Sequence, residues 1–266
     1  MKTNIKQSLH SIYSKVVSII DLPRVILRRR ECGRGWYTIC LHNPNQKYYD
    51  DLLDFLLSCD IAIVSLADLL EEKAIDGQVA AITFDDGWKD VKELLVKSKH
   101  NVPVTIFMCT GEWDKRASLR IGDKYKKDVK GHYFMSVEDI RELLAIKENV
   151  SIQMHTHMHP VLTDITMDDL KADLIVNKNY IYKITNEEPY CLAYPHGVYP
   201  GDNCLELLKA CGIKYAMSGG NGMSYIDQPY DIRRYGVYES DILKTKVRLS
   251  GIDRISNLIR LHKYRF

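Results

Sequence analysis

Short apolar runs alternate along this chain with longer stretches whose apolar positions recur at helical spacing. The runs predict strands at Trp36 to Leu41, Ile61 to Val64, Ala80 to Phe84, Val104 to Met108, Val150 to Met154 and Tyr190 to Ala193. Lys214 to Met217 and Ile232 to Val237 read as the last strands. Between them the spacing predicts helices at Tyr48 to Leu57, near Leu66 to Glu72, and at Asp90 to Lys99, Ser136 to Ala145, Met167 to Ile184 and Cys204 to Cys211. Ser136 with Asp139 three residues on is a cap-like pair, and Gly212 closes the helix before it. Roughly seven strand–helix units imply an α/β fold with parallel strands and helices outside. At this length the natural closure is a distorted TIM-like (β/α)7-8 barrel.

The 266 residues, 45% of them hydrophobic, suit one large domain, or at most two small ones, with ample core. The formal charge of +2 points to no strongly acidic partner, and no nucleic acid is expected. No apolar stretch reaches the length of about eighteen residues that a spanning helix needs. The first residues lack the apolar block and cleavage site of a secretory signal. Seven cysteines without paired spacing suit free thiols in a reducing compartment, hence the cytoplasm. Ile5, Leu9, Ile12, Val16, Ile19 and Ile20 form a helical stripe accompanied by Lys2, Lys6 and Lys15 and followed by Arg24 and Arg28 to Arg30. Two readings stand: a helix packed against the barrel, or peripheral contact with an anionic surface such as the inner membrane. The chain is therefore read as a basic amphipathic segment, 1–30, and a barrel domain, 31–266.

Barrels of this kind place their chemistry at the C-terminal ends of strands. Four polar segments fall there: His42, Asp85-Asp86, His155 to His159, and Tyr194-Pro195-His196-Gly197. The apolar strand before Asp85 ends abruptly in two carboxylates and Gly87. Neighbours on an extended chain point in opposite directions, so one carboxylate can bind a metal while the other faces a water. His155 and His159, at i and i+4, are expected on one side of a helical turn, with His157 turned away. An Asp–His–His set suits one divalent ion, zinc by ligand type, with cobalt, nickel or iron as alternatives. No nucleophile elbow, Walker loop or dinucleotide fingerprint is present, which argues against serine hydrolases, NTPases and Rossmann enzymes. Trp88 follows the Asp pair, and Trp113, Tyr125 and Tyr133 fall in or near a charged excursion, 110–132, that reads as a solvated loop or a substrate-contacting lid.

Thr83-Phe84-Asp85-Asp86-Gly87 and His155-Thr156-x-x-His159 resemble the first two signature motifs of the polysaccharide deacetylases, the NodB-homology or carbohydrate esterase family 4 group. Leu192-Ala193-Tyr194-Pro195-His196-Gly197 looks like the third, and the resemblance runs from about Tyr37 to Gly251. It implies Asp85 as catalytic base, Asp86, His155 and His159 as metal ligands, the backbone N–H of His196 at the oxyanion, and Tyr194 with His196 in the oxyanion or substrate set. It also implies an N-acetylated sugar or glycan as substrate, with surface-glycan N-deacetylation as the activity. The chain departs from the pattern at three places. Ala193 stands where an Arg usually orients the base, and Arg234 is the candidate to replace it; a surface Arg is the alternative. The Asp-x-x-Asp-Trp motif is absent. The late Leu-x-His that supplies the general acid is absent too, Leu261-His262 being incidental. Some members resemble a circular permutation with that histidine on the first strand, and His42 fits it. An N-deformylase, or another C–N hydrolase acting on a sugar or lipid-linked sugar, and a non-catalytic carbohydrate-binding protein are the rival readings.

Overall fold

The computed structural model describes residues 22–29, 35–73, 76–111 and 134–252. The apolar stripe at 5–20, most of the charged excursion with Trp113, Tyr125 and Tyr133, and Leu261-His262 lie outside the described residues.

The strands are β1 (Tyr37–Leu41), β2 (Ile61–Ile63), β3 (Gln78–Phe84), β4 (Val104–Met108), β5 (Val150–Met154), β6 (Cys191–Ala193), β7 (Tyr215–Ser218), β8 (Ile232–Arg233) and β9 (Tyr235–Gly236). All pair in parallel, in the order β8-β7-β6-β5-β4-β3-β1-β9. β8 and β9 are consecutive, so the two ends of this order are one segment of chain. Ile232 and Arg233 pair with β7, Tyr235 and Gly236 pair with β1, and Arg234 between them marks the seam where the ring closes. The run Ile232 to Val237, expected as one strand, is thus two short ladders. β2, expected as a stave, pairs only with the first half of β3, off the ring.

Eight helices are described: α1 (Leu22–Arg29), α2 (Gln46–Ser58), α3 (Leu66–Leu70), α4 (Lys89–Lys97), α5 (Val137–Ile146), α6 (Met167–Thr185), α7 (Leu205–Ala210) and α8 (Ile242–Ser250). Several of them start on side chains that accept the orphan amides of the first turn. Asn45 caps α2, Ser65 caps α3 and Thr166 caps α6. Ser136 and Asp139 form a reciprocal capping box on α5.

Strand parity sorts the core into two layers. Ile39, Leu41, Ile82, Phe84, Ile106, Met154 and Leu192 face the helices and join the larger cluster. Ala81, Phe107, Cys191, Ala193, Met217 and Ile232 belong to a smaller cluster that also holds Trp36 and Leu66, Leu69 and Leu70 of α3. That second set is the barrel interior. Continuing its parity past the strand ends brings Cys40 and His42 from β1, Asp85 from β3, Cys109 from β4 and His155 from β5 to the same side, the C-terminal rim.

Candidate active site

A cleft of about 580 Å³ opens at this rim, lined among others by His42, Asp85, Asp86, His155, His159 and Arg234. It gathers the expected residues from β1, β3, β5 and the segment between β8 and β9. The loop after β6 adds His196, exposed on the cleft wall.

Asp86 has φ +72°, a left-handed conformation at the end of β3, followed by Gly87 at φ +82°. This reversal turns the two carboxylates apart, as their adjacency requires. Asp86 Oδ1 stands 3.5 Å from His155 Nε2 and 3.5 Å from His159 Nε2. Its Oδ2 accepts a hydrogen bond from Trp88 Nε1 at 3.0 Å. Trp88, which also packs on Phe134 with ring centroids 4.7 Å apart, therefore orients a carboxylate.

His155 and His159 do converge, with ring centroids 4.9 Å apart. The expected helical turn is absent: residues 155–159 form a loop with Thr156 at φ +68° and His159 at φ +54°. A loop with two left-handed residues reaches the same side as i,i+4 spacing on a helix would, by a different path. His157 is turned away, its Nδ1 2.9 Å from Thr110 Oγ1.

The donor set fits a divalent cation. His155 Nδ1 lies 2.8 Å from the Ala193 carbonyl, to which it donates, leaving the Nε2 lone pair directed at Asp86. His159 Nδ1 is buried with no hydrogen-bond partner among the described residues. Burial, with His155 close by, pushes His159 down to about 3, so its imidazole is neutral, as a ligand must be. Burial opposes a charge on His155 too, but the Asp85 and Asp86 carboxylates raise it, so a cation rather than a proton between Nε2 and Asp86 would answer the same field. Cys109 Sγ, which donates to the His155 carbonyl at 3.1 Å, lies within 4.8 Å of the three donor atoms. The sequence offered no signal for it beyond a free thiol at a strand end.

Asp85 stands apart from this set, with Oδ2 3.9 Å from His155 Nε2. Its partner is Arg234, the seam residue. Nη1 reaches Oδ1 at 2.7 Å and Nη2 reaches Oδ2 at 2.8 Å, a bidentate pair in which both side chains are almost wholly buried. Arg234 is therefore inside the barrel, its guanidinium above the Phe107 ring, and not on the surface. Burial disfavours a charged Asp85, yet the Arg234 guanidinium and then His155 outweigh it and hold the carboxyl down at about 2. Cys40 donates to Oδ2 at 3.4 Å. The His42 ring lines the same cleft, with a nitrogen within 4.8 Å of an Asp85 oxygen. Glu239 accepts the backbone N–H groups of His42 and Asn43 and so ties down the end of β1; no sequence pattern pointed to it.

Tyr194 is the exception among the expected residues. It is out of phase with Ala193 and faces the helices in the outer core. Its hydroxyl donates to the Tyr230 carbonyl, its N–H to Met217 and its carbonyl accepts from Gly197. All its polar groups are engaged in structure, and it does not line the cleft. Its place in the substrate set is corrected to a packing role, for which strand parity is the reason. His196 follows at φ +59°, its ring 4.7 Å from that of His159.

The family model for polysaccharide deacetylase matches residues 72–216. No curated protein sequence matches the chain. Among solved structures, a Streptococcus pyogenes deacetylase, PplD, in complex with acetate aligns with TM-score 0.63 and 17% identity, over 80% of this chain and 98% of its own. IcaB from Ammonifex degensii aligns with TM-score 0.64 and 17% identity, over 81% and 97%. The BpsB deacetylase domain from Bordetella bronchiseptica aligns with TM-score 0.64 and 17% identity, over 78% and 97%. At such identities the likeness to these structures is one of fold.

Proposed function

This chain belongs to the polysaccharide deacetylase family, and from that premise we propose that it is a metal-dependent hydrolase removing an N-acetyl group from an amino sugar of a surface glycan or its precursor. The observation that carries this reading is the convergence of Asp86, His155 and His159 beside a second carboxylate, Asp85, that is held by Arg234 and left out of the donor set.

Amides resist hydrolysis because the carbonyl is weakly electrophilic and an amide nitrogen leaves badly without a proton. Asp86, His155 and His159 would hold a divalent ion, zinc by ligand type. When bound there, such an ion supplies Lewis acidity and lowers the pKa of a water from about 15.7 towards about 7. Asp85 is the base that takes the proton of the attacking water; the bidentate Arg234 pair keeps it ionised and fixes its plane. The His196 N–H is the donor to the acyl oxygen as it becomes negative; loss of one such donor costs roughly 3–4 kcal/mol. His42, on the cleft wall, protonates the departing nitrogen.

The reading is tested by acetate release from N-acetylated amino-sugar oligomers, using protein stripped by a chelator and then reloaded with zinc. Activity should vanish on stripping and return on reloading. Release of formate only from N-formyl sugars would redirect the reaction to deformylation. Sugar binding with no acyl release at any metal loading would leave a binding protein on this fold.

A leaving-group comparison checks His42. His42→Ala should lower amide hydrolysis roughly a hundred- to ten-thousandfold. It should scarcely affect an activated aryl acetate, whose leaving group needs no proton. Equal losses on both substrates would remove His42 from the general-acid role.

A further inference from the structure

The loop that carries both imidazoles is in a conformation that its own sequence disfavours. Thr156 and His159 are non-glycine residues with φ of +68° and +54°, and Thr is β-branched. Left-handed residues of this kind cost roughly 1–3 kcal/mol each and persist only where the surroundings impose them. The imposing group is a carboxylate on the neighbouring helix. Asp173, in the second turn of α6, accepts the His157 N–H on Oδ1 at 2.6 Å and the Met158 N–H on Oδ2 at 2.8 Å. Two successive amides converging on one anion form a nest, and here the anion is part of the chain itself.

The opposite side of the loop is fixed as tightly. Gly111 donates its N–H to the His157 carbonyl at 2.7 Å, and a Cβ on Gly111 would stand 2.6 Å from that oxygen. Asn177, four residues after Asp173 and so on the same face of α6, donates to the Met108 carbonyl and to Thr110 Oγ1, both at 3.0 Å. The end of β4 and the loop after β5 are thus locked to one helix face. Within the loop, Thr156 Oγ1 accepts the His159 N–H at 3.1 Å.

We propose that Asp173 is the positioning residue of the metal centre: by clamping the amides of His157 and Met158 it sets the separation and aim of His155 and His159. The inference rests on the metal-dependent reading above. Asp173 touches neither the cleft nor the donor atoms, so it acts only through loop geometry. Outer partners that orient ligands are typically worth ten- to hundredfold in metal affinity. Asp173→Asn keeps the shape but presents an amide donor to one of two N–H groups, which opens the clamp.

The test is zinc affinity, measured by competition with a chromophoric chelator on folded, metal-stripped protein, together with the absorption spectrum of the cobalt-loaded protein. Asp173→Asn should weaken zinc binding about ten- to hundredfold and alter the cobalt spectrum. Asp139→Asn, which loses a capping box and a Lys92 ion pair on a helix that does not line the cleft, is the control: it should lower Tm without changing zinc affinity. If Asp173→Asn does not fold, Asp173→Ser, which retains one acceptor, serves in its place with the same expected direction. Wild-type zinc affinity in the folded Asp173 variant, or an equal loss in Asp139→Asn, would overturn the proposal. Failure of the unaltered protein to bind zinc would instead strike the metal-dependent reading itself.

Discussion

Replacing Asp85 with Asn should reduce deacetylation by roughly a hundred- to ten-thousandfold while the protein still takes up one equivalent of metal. Asn is nearly isosteric with Asp but cannot accept the proton of an attacking water. Metal retention is expected because Asp85 is outside the donor set: the 3.5 Å contacts to the imidazoles belong to Asp86. Arg234 would lose its counter-ion, so the variant should also unfold at a lower temperature, and turnover must be compared well below its Tm. Elemental analysis and acetate release on one sample decide the matter. Undiminished turnover removes Asp85 from the base role, and loss of the metal would place it among the ligands.

The second large effect concerns stability. Arg234→Met should destabilise the fold by about 3–5 kcal/mol, the cost of leaving one member of a buried ion pair without the other. Urea unfolding reads this directly. The loss has a pH signature. Asp85 is held at about 2 in the folded chain against about 3.9 for a free carboxyl. A depressed folded pKa adds stability that is complete above the unfolded value and disappears as pH falls through the folded one. In Arg234→Met burial without a partner raises the Asp85 carboxyl instead, so the difference between the two proteins should be largest at high pH and shrink as pH falls from that raised value towards about 2, where Asp85 is protonated in both. Adding Asp85→Asn to Arg234→Met should recover part of the loss, since no buried charge then remains unpaired. A pH-independent difference, or none, would mean that the pair does not stabilise the barrel.

Several features were legible without coordinates because they depend on local periodicity. The short apolar runs marked most of the staves, and Ser136 with Asp139 announced the start of α5 by a capping pattern that acts over three residues. The adjacency of Asp85 and Asp86 at the end of an extended run predicted divergent side chains. Tyr194 could have been excluded by the same alternation, being out of phase with Ala193 in β6. Two expectations failed because they assumed regular backbone. His155 and His159 meet through left-handed loop residues, which spacing cannot encode. The segment from Ile232 to Val237 changes neighbours at Arg234, a choice made by ring closure. Glu239, Asp173 and Asn177 carried no signal, since each acts on backbone groups far along the chain.

What the sequence determined by itself was the alternation of elements, the parity of each strand, and the types of donor available at the strand ends; these follow from steric and solvation rules acting over a few residues. Only the tertiary structure decided which donors meet. Arg234 finds Asp85 across 149 positions because the barrel closes there, and its burial, which forces the charge to seek a carboxylate, exists only in the closed ring. The loop of His155 and His159 is likewise held from a helix that begins beyond it, where Asp173 accepts two successive amides.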